Sequence, residues 1–380
     1  MSSLPTASKG TTRAVERIGA LCTAGLPAQE LIEGVAHHMR EAIGSDGLFM
    51  AATDPDTLLG LGAGLAQGLP DAVCRPFWAF EFEVPDYNKF SDLARGPRQV
   101  ADLHAATGGR PERSARWREL NTYMDAGAEL RATFNAGGRG WGVLHLTRAG
   151  GSGGFAPSEV EFMEAIAPLV GRGLRISLLS QPADAAISRG PGMAIIDAEN
   201  RMVSATPEAV EWFDEIESVR RLHEPLAGMD VPSEVTVPAQ EARARAADPH
   251  VPATAVRTRA RTRSGTWLLI HASCLRGADG AIGNTAVVVE PAKASEVAPL
   301  IVEAYELTAR ELDVTRSLAR GLTTNEIAAR LHLSRYTVQD HLKSVYEKVG
   351  VSSRGELVAK MFADHYHDRL ADAVVHAAAA

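Results

Sequence analysis

Residues 307–366 read LTARELDVTRSLARGLTTNEIAARLHLSRYTVQDHLKSVYEKVGVSSRGELVAKMFADHY. Thr308, Thr323 and Ser353 are each followed, three positions later, by a glutamate. In such a capping box the hydroxyl accepts a hydrogen bond from a free backbone N–H, and the glutamate accepts one from the N–H of the capping residue. Ser334 is a further candidate N-cap. The stretch therefore predicts four consecutive helices.

Glycines and apolar spacing indicate how these helices are arranged. Gly321 and Gly350 lie where two helices are expected to end, because glycine accepts a left-handed backbone conformation. The short turn between the second and third helices is typical of a helix-turn-helix motif. The third helix carries one apolar stripe, formed by Val338, Leu342, Val345 and Val349.

Length and composition place this block in a larger, acidic chain. The chain has 380 residues and a net charge of −8, and its length predicts two or three domains. The charge argues against a protein that coats nucleic acid over its whole surface. No apolar run approaches the roughly 18–20 residues that a membrane span needs, and the N-terminus is short and polar. We therefore expect a cytoplasmic protein without membrane contact.

The cysteine and histidine patterns indicate no bound group. Cys22, Cys74 and Cys274 are scattered and form no C-x-x-C pair, so neither a disulfide framework nor a zinc site is expected. The histidines are equally dispersed, and the phosphate-binding loop of ATPases is absent. We expect no cofactor, no metal and no catalytic residue. An enzyme is only a remote alternative, because no base is paired with Cys22 or Cys74.

The first 180 residues combine helical and strand patterns. Residues 1–12 are predicted to be a disordered tail, and two helices joined by a turn follow up to Gly44. Residues 77–82 (FWAFEF) alternate aromatic and other residues, which predicts a strand. A Gly-rich turn at residues 135–138 between two apolar runs predicts a hairpin. Helical spacing over residues 158–177 predicts a closing helix.

A second α/β pattern follows. Two strands are predicted within residues 192–204, and Thr206 with Pro207 supplies the cap and the first residue of a helix. Residues 217–250 are mostly polar and are interpreted as helix or loop. Three further strands separated by turns are predicted over residues 254–290.

The quoted block resembles the LuxR/FixJ-type helix-turn-helix of transcriptional regulators. The match runs through the block without a gap, at Leu307, Thr308, Arg310, Glu311, Gly321, Leu322, Glu326, Ile327, Ala328, Leu331, Ser334, Thr337, Val338, His341, Leu342, Tyr346, Lys348, Gly350, Val351, Ser353, Arg354 and Glu356. The first region resembles a GAF domain in its WGVLHL strand and in the FAPSEVEFME start of its last helix. The second region resembles a PAS domain in the order of its strands and helix.

These resemblances imply an α+β multidomain fold class, with GAF-like and PAS-like α/β sensory domains before an all-α four-helix LuxR-type helix-turn-helix domain. The implied boundaries are a GAF-like domain at 13–180, a PAS-like domain at 189–292, a linker at 293–306 and a DNA-binding domain at 307–368. The resemblance also implies a sequence-specific, one-component transcriptional regulator that binds double-stranded promoter DNA, and we expect it to act as a homodimer.

A helix of this kind fits the major groove with its N-terminal residues nearest the base edges. Gln339 is suited to adenine, Asp340 to cytosine, and Lys343 to guanine or phosphate. Hydroxyls and free N–H groups at helix starts suit phosphate. The candidate DNA-binding residues are Thr323, Thr324, Ser334, Arg335, Tyr336, Thr337, Gln339, Asp340, Lys343, Lys348 and Arg354.

Two features distinguish the block from its family. Gln339 stands where the family usually has Lys, and Ser344 where it often has Asn, so the family's base preferences do not transfer. Residues 301–370 hold ten Lys or Arg and ten Asp or Glu. Because phosphate neutralisation supplies much of DNA affinity, we expect a monomer to bind modestly and pairing to strengthen binding. The last helix offers an apolar stripe for pairing or for core packing, at Leu357, Val358, Met361 and Phe362.

The front end leaves alternatives open. It is expected to sense a small-molecule effector or to mediate dimerisation, or else to bind another protein and no ligand. Five aromatic residues are candidates for a pocket wall or for the core: Trp78, Phe80, Phe82, Phe134 and Trp141. RNA polymerase is a candidate partner. A helical protein–protein module and a sigma-factor-like promoter reader are the alternatives for the C-terminal block, and the α/β pattern upstream argues against the second.

Overall fold

The computed structural model describes residues 9–151, 153–180, 189–216, 220–221, 231–252, 254–292, 296–297, 305, 307–319 and 321–358. Contacts between residues divide the chain into two units. The first contains Met1–Gln181 and Arg189–Pro291, and the second contains Pro182–Ser188 and Ala292–Ala380. Each unit is described by itself.

A mixed sheet forms the first part of the first unit. Its strands are β1 (Gly47–Thr53), β2 (Gly60–Gln67), β3 (Val100–Asp102), β4 (Ala126–Ala136), β5 (Arg139–Ala149) and β8 (Arg220–Arg221), in the spatial order β3-β4-β5-β1-β2-β8. All neighbours are antiparallel except β2 and β8, which are parallel. The predicted hairpin is β4–β5, and its turn contains Gly137 and Gly138 at φ 61° and 78°. Both angles are in the left-handed region that glycine adopts at little cost.

Helices pack on this sheet. The long helices are α1 (Lys9–Thr23), α2 (Ala28–Ala42) and α7 (Pro157–Ser180), and the short ones are α3 (Cys74–Phe82), α4 (Phe90–Arg95), α5 (Leu103–Thr107) and α6 (Ala115–Leu120). The pair α1–α2 confirms the two predicted helices, and α7 confirms the closing helix. Because α1 begins at Lys9, the expected tail is helical over residues 9–12, and residues 1–8 lie outside the described part.

The predicted strand at residues 77–82 is wrong, because this segment lies in helix α3. Trp78 and Phe82 are one helical turn apart, and their rings stack with centroids 5.8 Å apart. Phe77 is buried and packs against Phe49 and Phe90. A short aromatic run fits either period, so its contacts with the rest of the fold decide between helix and strand.

Two buried ion pairs hold the short helices to β4. Arg116 donates two hydrogen bonds to the carboxylate of Glu129, at 2.6 and 3.2 Å. Arg131 donates to Glu81 at 2.8 Å, and its guanidinium lies 3.6 Å from the centre of the Phe90 ring. Both arginine side chains are fully buried. Burial alone would raise the pKa of Glu129, but Arg116, together with His145 and Arg131, outweighs it and the pKa falls to about 2.

The second sheet is antiparallel throughout. Its strands are β6 (Gly192–Ile196), β7 (Met202–Ala205), β9 (Val256–Arg261), β10 (Trp267–Arg276) and β11 (Ile282–Pro291), in the order β7-β6-β11-β10-β9. Helix α8 (Pro207–Glu215) starts as predicted, because Thr206 accepts a hydrogen bond from the N–H of Ala209. The predicted order of two strands, a helix and three strands is confirmed for the second sheet. Within residues 217–250, interpreted as helix or loop, residues 220–221 instead form strand β8 of the first sheet, because they pair with β2.

Helix α9 (Ser233–Ala247) joins the two sheets of the first unit. It contacts β9, β10 and β11 on one side and β2 and α3 on the other. Polar contacts support the same junction, since Arg259 pairs with Asp54 at 2.8 Å and Arg261 donates to the carbonyl of Leu178 at 2.6 Å. The two sheets therefore share one helix between them.

The helices of the second unit whose bounds are described are α10 (Ala309–Ala319), α11 (Thr324–Leu331), α12 (Arg335–Val349) and α13 (Arg354–Val358). Helix α10 contacts the other three, and α11 also contacts α12. Two sheets with flanking helices and an all-helical end confirm the predicted α+β multidomain class. Within the described segments, every helix is too short or too polar to cross a membrane.

We expect the buried pair Arg116–Glu129 to stabilise the first unit far more than a half-exposed pair. Glu129→Gln leaves the Arg116 charge buried without a counterion, and we expect a loss of about 3–5 kcal/mol in unfolding free energy. Urea unfolding followed by tryptophan fluorescence measures this loss, because all five tryptophans lie in the first unit.

The matched control is Arg139→Gln, which breaks the half-exposed pair with Asp56 and should cost about 0–1 kcal/mol. Equal losses for the two variants would contradict a special contribution from the buried pair.

Candidate nucleic-acid interface

The predicted capping boxes start the helices of the second unit. Thr308 accepts from the N–H of Glu311 at 3.3 Å, and Glu311 accepts from the N–H of Thr308 at 2.7 Å. The second box is closed in the same way between Thr323 and Glu326. In the third box, the N–H of Glu356 donates to Ser353 Oγ, and the Glu356 carboxylate accepts from the N–H of Ser352, one residue before the cap.

The turn before α12 is fixed by its two ends. Ser334 accepts from the N–H of Thr337 at 3.0 Å, as expected of its N-cap. His332 ends α11 with φ 54°, in the left-handed region. The sequence did not predict this helix end, because no glycine stands there. Histidine is among the non-glycine residues enriched in the left-handed region. Gly350 ends α12 with φ 68°, and Gly321 has φ 84°, both as predicted.

Helix α12 has one buried side and one exposed side. The predicted apolar stripe is buried, with exposures of 0% for Val338, 8% for Leu342, 0% for Val345 and 2% for Val349. The opposite side places five predicted residues together in solvent: Arg335, Tyr336, Gln339, Asp340 and Lys343. We call these five residues the reading face. Tyr336 is 78% exposed, which is unusual for an aromatic side chain.

The reading face offers donors and acceptors of several kinds. The Gln339 amide can both donate and accept, the Asp340 carboxylate accepts, and the Arg335 and Lys343 side chains donate. Such a mixture can distinguish base edges in the major groove, whereas positive charges alone would contact phosphate without reading sequence.

Glu311 ties α12 to the start of α10. Besides closing the first capping box, its carboxylate accepts from Ser344 Oγ and from Lys348 Nζ, each at 2.6 Å. Burial by itself would raise the pKa of Glu311, but the hydrogen bonds from Lys348, Ser344 and Thr308 outweigh it and lower the pKa from 4.5 to about 2. Ser344, which stands where the family often has Asn, therefore makes a contact inside the unit and is not part of the reading face.

Two predicted phosphate contacts have internal partners. Lys348 pairs with Glu311, and Arg354 donates to the carbonyls of Leu322 and Leu318 at 3.0 and 3.1 Å. Sequence reasoning missed these roles, because the partners lie more than 30 positions away along the chain. Thr323, Thr324 and Thr337 lie at the predicted helix starts, and Thr323 also donates to Glu326 at 2.8 Å.

Among the described residues, one group of side chains lies close enough together to hold a metal ion. These are His37, His38 and Glu41 on α2, whose possible ligand atoms lie within 4.8 Å of one another. Glu41 is half exposed, and Arg17 lies 3.7 Å from its carboxylate. The hydrogen bond from His38 is the main cause of a lowered pKa at Glu41. A cation here would compete with a neighbouring positive charge.

The second unit matches a known family. Residues 305–361 fit the family model described as bacterial regulatory proteins, luxR family. Over 53 residues the chain is 53% identical to the probable transcriptional regulatory protein SgaR of Hyphomicrobium methylovorum, which covers 14% of this chain and 25% of SgaR. Over 56 residues it is 48% identical to the transcriptional regulatory protein UhpA of Escherichia coli strain K12, which covers 15% of this chain and 29% of UhpA. The chain thus spans less than a third of these relatives, and its C-terminal block is a LuxR-type helix-turn-helix domain, as predicted.

Solved structures are similar to parts of this chain, with low sequence identities and low TM-scores. The GAF domain from a phosphoenolpyruvate-protein phosphotransferase of Coxiella burnetii is 16% identical with a TM-score of 0.33, and covers 44% of this chain and 95% of that chain. VqmA of Vibrio cholerae, solved as a complex with ligand and DNA, is 18% identical with a TM-score of 0.23, and covers 47% of this chain and 84% of that chain.

We expect Glu311→Gln to loosen α12 from α10. The amide cannot replace the charge-assisted bond to Lys348, so the local unfolding free energy should fall by about 2 kcal/mol. Amide hydrogen exchange of peptides from residues 307–358, followed by mass spectrometry, measures the change. Because the folded pKa is about 2 and the ordinary value 4.5, this stabilisation is complete above about pH 4.5 and is lost as the pH falls toward 2.

Glu326→Gln is the matched control, because Glu326 closes an exposed capping box and bonds to no residue of α12 among the described contacts. A smaller loss is expected. Unchanged exchange in the Glu311 variant would show that the carboxylate does not hold α12.

Proposed function

We propose that this chain is a sequence-specific transcriptional regulator that binds double-stranded DNA through its LuxR-type helix-turn-helix domain. The observation that carries the proposal is the reading face of α12, five exposed polar or aromatic side chains on a helix whose other side is buried. That geometry suits insertion into the major groove, where each base pair presents a distinct pattern of donors and acceptors.

In this proposal, base contacts come from the reading face. Gln339 pairs with adenine, Asp340 accepts from cytosine, and Lys343 reaches guanine or phosphate. Arg335 and Tyr336, at the N-terminal end of α12, lie nearest the groove wall. Thr323, Thr324, Ser334 and Thr337 contact phosphate through helix-start hydroxyl and N–H groups.

Lys348 and Arg354 act in two ways within the proposed interface. An ammonium group has three donors and a guanidinium five, so each side chain can keep its internal bonds and still approach a phosphate. Their internal partners, the Glu311 carboxylate and the carbonyls of Leu318 and Leu322, then fix the position from which each side chain reaches a phosphate.

The proposed regulator acts as a homodimer on two half-sites. The near balance of charges in residues 301–370 limits the phosphate contribution of one copy, and a second copy raises affinity by linked binding. The stripe proposed for pairing is only partly described: Leu357 is buried within its own unit, the side chain of Val358 is not described, and Met361 and Phe362 lie outside the described residues.

We further propose that the first unit, with a GAF-like domain at 13–180 and a PAS-like domain at 189–292, is the sensory or dimerising part. An effector that binds one arrangement of the two copies better would shift their population toward it. The alternative is a regulator whose first unit binds another protein and no ligand. The linker at 293–306, the domain limit at 368, the cytoplasmic location and contact with RNA polymerase belong to the same proposal.

We expect Gln339→Ala with Lys343→Ala to abolish selective DNA binding. Operator fragments are obtained by genome-wide mapping of binding sites in the cell of origin, and affinities are measured by fluorescence anisotropy. Loss of each good base contact costs about 1–3 kcal/mol, so the double variant should bind its operator at least about tenfold more weakly. If Lys343 contacts phosphate, the salt dependence should also fall by about one unit of slope.

Glu347→Ala is the matched control, because Glu347 is exposed on the same side of α12 but lies four residues beyond Lys343, away from the N-terminal residues proposed to enter the groove. Its affinity should not fall. Wild-type affinity and selectivity in the double variant would refute the reading face, and failure of the native chain to bind any fragment of its genome would refute the proposed function.

A further inference from the structure

The first unit contains a cavity of about 70 Å³ between its first sheet and the helices α3 and α9. Side chains of β1, β2 and β5 form its floor, and Trp78 of α3 and Val237 of α9 form parts of its walls. One water needs only roughly 10–15 Å³, whereas an engineered apolar cavity of about 150 Å³ in another protein holds benzene. The enclosed space is about half of the volume that holds benzene, and the cavity is partly open to solvent. It therefore suits at most a single ring, with part of the ring in the opening.

The walls of this cavity are mainly apolar and aromatic. Phe49, Phe77 and Trp78 meet edge to face, with ring centroids 5.3–5.9 Å apart. Ala51 and Val143 lie on the floor between them. Aromatic rings in this arrangement attract a further ring through their edges and faces. Of the five aromatic residues singled out in the sequence, Trp78 lines the cavity, while Phe134 and Trp141 are buried in the core.

His145 provides a polar point in the cavity wall. It is 1% exposed and lines the cavity, and its Nδ1, which lies 4.0 Å from the Glu129 carboxylate, makes no hydrogen bond among the described residues. Burial, together with the charges of Arg131 and Arg116, lowers its pKa to about 3 against the opposing effect of Glu129. The imidazole is thus neutral near pH 7 and can donate through one nitrogen and accept through the other.

The remaining wall belongs to α9, which comes from the second half of the unit. Ser233, Glu234 and Val237 line the cavity, while the same helix packs on β9, β10 and β11. An occupant would contact both halves at once, so its binding energy would favour the arrangement in which α9 rests on the first sheet.

We propose that this cavity binds a small uncharged molecule of single-ring size, apolar apart from one hydrogen-bonding group that pairs with His145, and that α9 closes over it. The inference deepens the proposed sensory role of the first unit and rests on it. It assigns the effector class by size, charge and polarity, and it makes α9 the element through which occupancy reaches the second sheet.

Phenol, benzoate and benzylammonium test the proposal on the full-length chain. The three probes share one ring and differ in charge. Isothermal titration calorimetry at pH 7 should show saturable binding of phenol and at least about tenfold weaker binding of both ions, because an unpaired charge is costly to bury. Stronger binding of benzylammonium would assign the site to a cation held by Glu234, and no binding by any probe would also overturn the proposal.

A matched pair of substitutions on β1 locates the site. Ala51 lines the cavity, whereas its neighbour Ala52 does not and points to the other face of the sheet. Ala51→Leu should fill the space and weaken phenol binding by about tenfold or more. Ala52→Leu adds the same atoms and should leave the phenol affinity within about twofold of the native value, since exclusion from a pocket needs atoms inside it. Equal weakening by both variants would refute the location.

Photolabelling of the unmodified chain with 4-azidophenol provides the same test if a variant fails to fold. Labelled peptides should come from Cys74–Phe82 and Ser233–Ala247, and labels confined to segments that do not line the cavity would overturn the proposal. DNA binding is measured separately. Phenol binding without DNA binding would refute the regulator alone, and DNA binding without phenol binding would refute the cavity proposal alone.

Discussion

The carboxylate of Glu311 is the constraint on which the helix-turn-helix unit depends. It accepts hydrogen bonds from the backbone of Thr308 and from Ser344 and Lys348 on α12. One buried group therefore sets both the start of α10 and the position of α12 relative to it. The exposed side chains that would meet DNA take their direction from a contact on the opposite side of their helix.

The helices of this unit could be predicted because their start signals are local. A hydroxyl residue and a glutamate three positions later each accept a hydrogen bond from the other's backbone N–H, and these bonds need no contact with the rest of the chain. Thr323 and Glu326 show this arrangement. The double role of Glu311 could not be predicted, since Lys348 is 37 positions away. Lys348 and Arg354 read as surface cations in the sequence, yet the structure gives both internal partners.

In the first unit, alternation and turns predicted the hairpin β4–β5 and the strands of the second sheet, but not the strands β2, β3 and β8 or the helices that cover the sheets. Residues 77–82 form a helix because their aromatic rings pack as a cluster on one side of the sheet. Residues 233–247 read as polar, yet α9 buries Glu234 and Gln240 as well as Val235. A helix buried against two sheets needs no amphipathic stripe, so its sequence carries no periodic sign of where it packs.

Because α9 packs on both sheets, the two halves of the first unit are not interchangeable modules. A fragment that ends at Ser180 would keep five strands of the first sheet, but it would lose β8 and the helix that covers β2 and α3. The apolar floor around Ala51 and Phe77 would then face water. A recombinant protein that takes one half from a homologue must therefore take α9 together with the surface that α9 covers. Substitutions in the residues that α9 contacts on one sheet are likewise coupled, through α9, to substitutions in the residues it contacts on the other sheet.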